Sequence, residues 1–117
     1  MADVIALVDD IFFTAKMQET ARRLGVSLKT VATGDALVAE ASTSESALLI
    51  VDLNARQSPL EAIEQLHASG NQRPVIAFLS HVQVELAERA RAAGCREVMP
   101  RSKFTQNLAE ILASAKR

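Results

Sequence analysis

Three carboxylates carry the chemistry this sequence can offer. Asp9 and Asp10 close an unbroken apolar run, Val4, Ile5, Ala6, Leu7 and Val8, and Asp52 closes a second run, Leu48, Leu49, Ile50 and Val51. If both runs are buried parallel strands ending at the same edge of a sheet, the three acids meet there. Like charges held close together away from water are costly, so such a cluster persists by binding a cation or by raising the pKa of one member. A plainer use is also open: Asp9 and Asp10 can cap the helix that follows and favour its positive end.

The elements that would position these acids alternate along the chain. Apolar stretches of strand length are followed each time by helical spacing, the signature of βαβ units and a parallel sheet. Strands are expected over 4–8, 27–32, 48–51, 75–79 and 97–99. A first helix over about 11–24 has Phe13, Met17, Ala21 and Leu24 on one face and Gly25 as its stop. A short second helix opens at Gly34 and Asp35 and runs to about Ala41, and a third begins where Ser58 can cap, Pro59 suits the first turn and Glu61 can close a capping box, running to about Ala68. A fourth covers about 84–93 before Gly94. The fifth starts near Ser102 or Lys103 with Phe104, Leu108, Ile111 and Leu112 on one face.

Polarity orders the strands. A parallel strand covered on both faces is apolar throughout, whereas an edge strand tolerates charge. The first, third and fourth strands are continuous and the second and fifth are not, so the expected fold is α/β: one doubly wound, five-stranded parallel sheet of order 2-1-3-4-5, flavodoxin-like, with five helices in a single domain over 1–117. Its switch point lies between the first and third strands, where open sheets of this kind bind ligands. Asp9, Asp10 and Asp52 flank that crevice.

Composition narrows the function. The 117 residues carry a net charge of −1 with both signs interspersed, so no basic field would attract nucleic acid or an anionic membrane. No apolar stretch approaches the roughly 20 residues that cross a bilayer. One cysteine, Cys95, and an N-terminus without signal-peptide features point to reducing cytosol and a cytoplasmic location. No G-x-G-x-x-G or Walker pattern is present.

These residues resemble the receiver domain of bacterial two-component response regulators over nearly the whole chain. The matching segments are Val8-Asp9-Asp10, Asp52-Leu53-Asn54, the stretch from Pro74 through His81, and Ala93-Gly94-Cys95. The resemblance implies Asp52 as acceptor of a phosphoryl group from a histidine kinase or phosphotransfer protein. It also implies Mg²⁺ held by Asp9 or Asp10, Asp52 and the main-chain oxygen of Asn54. Magnesium suits such a set, since it takes oxygen ligands in near-octahedral geometry and neutralises incoming phosphoryl charge.

The chain also departs from the family's pattern. The hydroxyl residue expected at the end of the fourth strand is Leu79, with Ser80 one position late and therefore facing elsewhere. The lysine expected after the fifth strand is Arg101, a planar guanidinium in place of a compact ammonium, with Lys103 as a rival cation. The switch aromatic of the fifth strand is Val98. This is the pattern of an atypical member, with the acids retained and the readout positions altered. His81 is a candidate modulator of dephosphorylation, although an exposed loop histidine needs no such role. His67 and Lys16 read as surface residues, and Cys95 as a small, partly buried thiol rather than a nucleophile.

Three functional readings follow. The first is a stand-alone receiver module in a phosphorelay, signalling through a downstream protein because no output region follows the last helix, with a homodimer left open. The second is a phosphorylation-independent pseudo-receiver scaffold. The third, from another class, is an aspartyl-phosphate phosphatase-like enzyme, against which Asn54 stands where a second acid is usual. The leading reading is not an enzyme.

Overall fold

The computed structural model describes residues 2–80 and 83–116. His81 lies outside the described residues. In chain order the elements are β1 (Val4–Leu7), α1 (Ile11–Leu24), β2 (Leu28–Val31), α2 (Gly34–Thr43), β3 (Leu48–Asp52), α3 (Pro59–Ala68), β4 (Val75–Leu79), α4 (Val84–Ala92), β5 (Glu97–Pro100), α5 (Arg101–Gln106) and α6 (Leu108–Ser114). The strands form one parallel sheet in the order β2-β1-β3-β4-β5, as the polarity of the runs predicts. The central strands β1, β3 and β4 are buried along their whole length, while β2 and β5 are not.

Alternation along the strands divides the core into two layers. Ile5, Leu7, Leu49, Val51, Val75 and Ala77 face α2, α3 and α4, packing with Leu37, Ile63, Leu66 and Ala90. Val4, Ala6, Leu48, Ile50, Ile76 and Phe78 face α1, α5 and α6, packing with Phe13, Met17, Phe104, Leu108 and Leu112. Asp52 follows Leu48 and Ile50 at even spacing, which aims its carboxylate at the α1 and α5 side. The same parity puts Leu79 on the opposite side, in the layer of α2, α3 and α4.

Helix termini explain several boundaries. The Asp10 side chain accepts from the Phe12 and Phe13 N–H groups and starts α1. Gly25, at φ 71°, ends that helix in the left-handed conformation glycine adopts without penalty. Thr33 Oγ1 caps α2 by accepting from Ala36 N at 3.1 Å.

Two local expectations are corrected. Ser58 is not a capping-box residue: at φ 57° and ψ 49° it is left-handed, its hydroxyl makes no cap bond, and a side-chain cap needs extended backbone. The last helix is two helices, giving six among the described residues. Asn107 interrupts it, its Nδ2 donating to Lys103 O at 3.1 Å and its backbone leaving the helical region at φ −102° and ψ 7°. The Asn107 N–H keeps its own bond to Lys103 O at 3.1 Å, so the break lies in the backbone dihedrals of that residue.

Candidate functional site

The crevice between β1 and β3 gathers the three aspartates with a cation from the far edge of the sheet. β1 and β3 pair in register, Leu7 opposite Val51, so their acidic ends emerge side by side. Arg101 arrives from β5. Phe78 pairs with both Asp52 and Met99, and Met99 faces the α1 and α5 layer, so Arg101, two residues on, emerges on the same side as Asp52. Its guanidinium then reaches over β4. Nη2 donates to Asp52 Oδ2 at 3.1 Å and Nη1 to Asp10 Oδ2 at 3.4 Å.

Aromatic rings support this cation. The Arg101 guanidinium carbon stands 4.7 Å from the Phe13 ring centroid and 5.5 Å from that of Phe78, close enough for cation–π attraction. Phe78 is itself stacked on Phe104, with centroids 4.3 Å apart. Arg101 Nε is buried without a hydrogen-bond partner among the described residues, so the carboxylates hold the side chain through its outer nitrogens alone. The sequence gives no warning of the rings' role, since Phe13 reads simply as a core position of α1.

Each acid has its own environment. Asp52 is 2 % exposed, and burial pushes its pKa above the usual carboxylate value. The Asn54 N–H, 2.9 Å from Asp52 Oδ1, and the Arg101 charge oppose that rise, while Asp9 and Asp10 add to it. Asp10 shifts the other way: the Phe13 N–H lowers its pKa most, aided by the Phe12 N–H and Arg101 against some desolvation. Asp9 Oδ2 accepts from the Arg56 backbone N at 2.9 Å and from Arg56 Nε at 3.4 Å. Arg56 has no motif to announce it; the loop after β3 brings it in.

The remaining positions fall into place around this centre. The Asn54 side chain bridges two loops, Oδ1 accepting from Ser80 N at 2.5 Å and Nδ2 donating to Gln83 Oε1 at 2.9 Å. Ser80 is exposed, whereas Leu79 is buried. Val98 is half-buried and lines an apolar groove between α4 and β5 with Leu79, Val84 and Met99. Lys103 is exposed and lies away from the acids, in a groove with Glu97 and Glu110.

The donor set does not fit a magnesium ion in this arrangement. Each oxygen of Asp10 and of Asp52 accepts from an N–H, as does Asp9 Oδ2, and the Arg101 guanidinium stands between Asp10 and Asp52 as a positive charge that a shared metal would have to displace or face. Among the described residues no group of three or more His, Cys, Asp or Glu side chains is disposed to hold a metal.

The five-stranded order 2-1-3-4-5 is flavodoxin-like, and the fold matches that of solved receiver domains. A Francisella response regulator receiver domain superposes with a TM-score of 0.84 at 12 % identity, 98 % of this chain covering 96 % of that one. The chemotaxis response regulator CheY4 of Vibrio cholerae gives 0.82 at 19 %, with 98 % of each chain covered. NtrX from Brucella abortus, in a complex with ADP, gives 0.80 at 17 %; 97 % of this chain matches 26 % of that one, so the chain spans about a quarter of NtrX. No family model and no curated relative matches the sequence. No helix among the described residues is long and apolar enough to cross a membrane.

Proposed function

We propose that the chain, over 1–117, is a receiver-type signalling module that works through protein contacts without phosphorylation, a pseudo-receiver rather than an enzyme. The observation that carries this reading is the state of Asp52: 2 % exposed, with one oxygen bonded by the Asn54 N–H and the other by Arg101. A nucleophile needs room for in-line attack, and a carboxylate this buried, with each oxygen already held by a donor, leaves little. The altered positions agree. Leu79 brings no hydroxyl to the crevice and Val98 no ring, so a phosphoryl group would find little to bind differently in two conformations, and a group can shift a conformational equilibrium only by such a difference.

The alternative is a phosphorelay receiver at work in the cytoplasm, accepting a phosphoryl group at Asp52 with Mg²⁺ from a histidine kinase or phosphotransfer protein. Its support is the position of Asp52 at the C-terminal end of β3, beside Asp9 and Asp10. A phosphatase-like activity has less support, because the Asn54 side chain is tied to Ser80 and Gln83 on both its oxygen and its nitrogen. Incubation with Mg²⁺ and acetyl phosphate, followed by intact-mass measurement, separates the first two. The pseudo-receiver reading expects no gain of mass; a phosphoryl adduct on the wild-type chain that disappears in Asp52→Asn would sink it.

A further inference from the structure

We infer that Arg101 is the pocket's resident cation and takes the place of a divalent ion, so that the native pocket excludes metal and only removal of the guanidinium lets its acids rearrange around one. The inference rests on reading the crevice as a receiver-type acidic pocket. Its physical basis is direct competition for the same oxygens.

Arg101 holds Oδ2 of both Asp10 and Asp52, at 3.4 and 3.1 Å, so an ion bridging those two atoms would meet the guanidinium there. The guanidinium can hold both because it is a planar fork with several donors; a compact ammonium would act as a point charge. Nor is it free to swing out. The guanidinium lies over Phe13 and beside Phe78, its Nε is buried, and the Arg101 side chain is 27 % exposed. An entering ion would have to break two charge-assisted hydrogen bonds and lift the guanidinium from the rings, or accept a positive charge as its nearest neighbour. The third acid is restrained too, since Asp9 is bonded by the Arg56 backbone N–H as well as by its side chain.

As they stand, no three acids among the described residues are disposed to hold a metal, but their oxygen donors are of the kind a hard cation takes once they are free to move. Oxygen donors from two adjacent strand ends, with water completing the shell, are what Mg²⁺ and Mn²⁺ take. Removing Arg101 frees Oδ2 of Asp10 and of Asp52 together and leaves a buried carboxylate without its cationic partner, which favours cation uptake.

The test is a Mn²⁺ titration of the full chain, followed by loss of the free aquo-ion signal in electron paramagnetic resonance, with Mg²⁺ as competitor. The wild-type chain, Arg101→Ala and Arg101→Met are compared; the methionine keeps an apolar stem against Phe13 and Phe78 and so protects the fold. Both variants should bind Mn²⁺ at least about tenfold more tightly than wild type, a difference of about 1.4 kcal/mol. Adding Asp52→Asn to either should abolish the gain. Wild-type binding as tight as that of the variants overturns the inference, and so does a wild type and variants that are all equally blind to the ion. The outcome is separable from the functional reading: a wild-type chain that gains a phosphoryl group without any divalent ion would defeat the pseudo-receiver reading while leaving the metal exclusion intact.

Discussion

Asp10 and Asp52 hold the same guanidinium, through Nη1 and Nη2 of Arg101, yet their pKa values move in opposite directions. Asp10 is a partly exposed helix cap whose ionised form is favoured first by the Phe13 N–H. Asp52 is buried, and desolvation outweighs what Arg101 and the Asn54 N–H return. The cation is thus a minor addition to backbone capping at Asp10 and offsets only part of a desolvation cost at Asp52.

That contrast sets a pH dependence. Asp10, with its pKa lowered, contributes stability that is present above its ordinary value of 3.8 and is lost as pH falls through the lowered value. Asp52, with its pKa raised, has the reverse sign: its contribution is fully present below 3.8 and is lost as pH rises through the raised folded value. Asp52→Asn should therefore melt at a higher temperature than wild type at neutral pH, with a difference that shrinks as pH falls toward 3.8. Thermal melts across that range measure it, and a gain that grew toward acid would reverse the assignment.

The stacked rings beneath Arg101 are both core and support. Phe104 is fully buried against Phe78, with planes 16° apart, and lies 5.9 Å from Phe13 between centroids. Phe104→Ala should cost about 3–5 kcal/mol in denaturant unfolding, the range for a large aromatic removed from a packed interior. A loss below about 1 kcal/mol would mean that α5 collapses onto the gap and that the rings are loosely held.

Gly34 and Ser58 face each other where α2 meets the start of α3. A Cβ on Gly34 would come within 2.5 Å of Ser58 O and 3.1 Å of Gln57 O, both backbone atoms that cannot rotate away. Helix propensity alone favours alanine over glycine by up to about 1 kcal/mol. The contact predicts the opposite sign, with Gly34→Ala less stable by about 1–3 kcal/mol, as for other overpacked sites.

Ser58→Gly should act in the other direction. The left-handed backbone at Ser58 is strained for an L-residue by about 1–2 kcal/mol, against which a glycine loses about 0.4–1 kcal/mol through the freer unfolded chain. A net rise in stability of up to about 1 kcal/mol is expected from urea melts.

Cys95 should be inert in the native protein. It is buried and unpaired, and burial pushes its thiol up to about 11, leaving little thiolate at neutral pH. Ellman's reagent at neutral pH should react with it only as fast as the chain unfolds; stoichiometric labelling within the mixing time would show that the interior beside α4 is open.

Sequence alone determined the layered α/β plan and its strand order. Burial on two faces demands uninterrupted apolar residues, which Val4 to Val8, Leu48 to Val51 and Val75 to Leu79 supply, while Lys29 and Glu97 mark the edges. It also determined that Asp9, Asp10 and Asp52 share one edge, because neighbouring parallel strands run in the same direction and so finish on the same side of the sheet. Tertiary structure decided the rest. Ser58 has the composition of a helix cap, but the loop that must let Gly34 N bond Gln57 O leaves it left-handed. Asn107 lies in a helical pattern that its backbone dihedrals interrupt. That Arg101 rather than Lys103 meets the acids depends on β5 running through Pro100 in register with Leu79, and on Phe13 and Phe78 standing where the guanidinium crosses β4. Hydropathy reports which face of a strand is buried, a local property; which cation meets which carboxylate is a matter of ångströms between chain segments 49 residues apart, settled only when the sheet has closed.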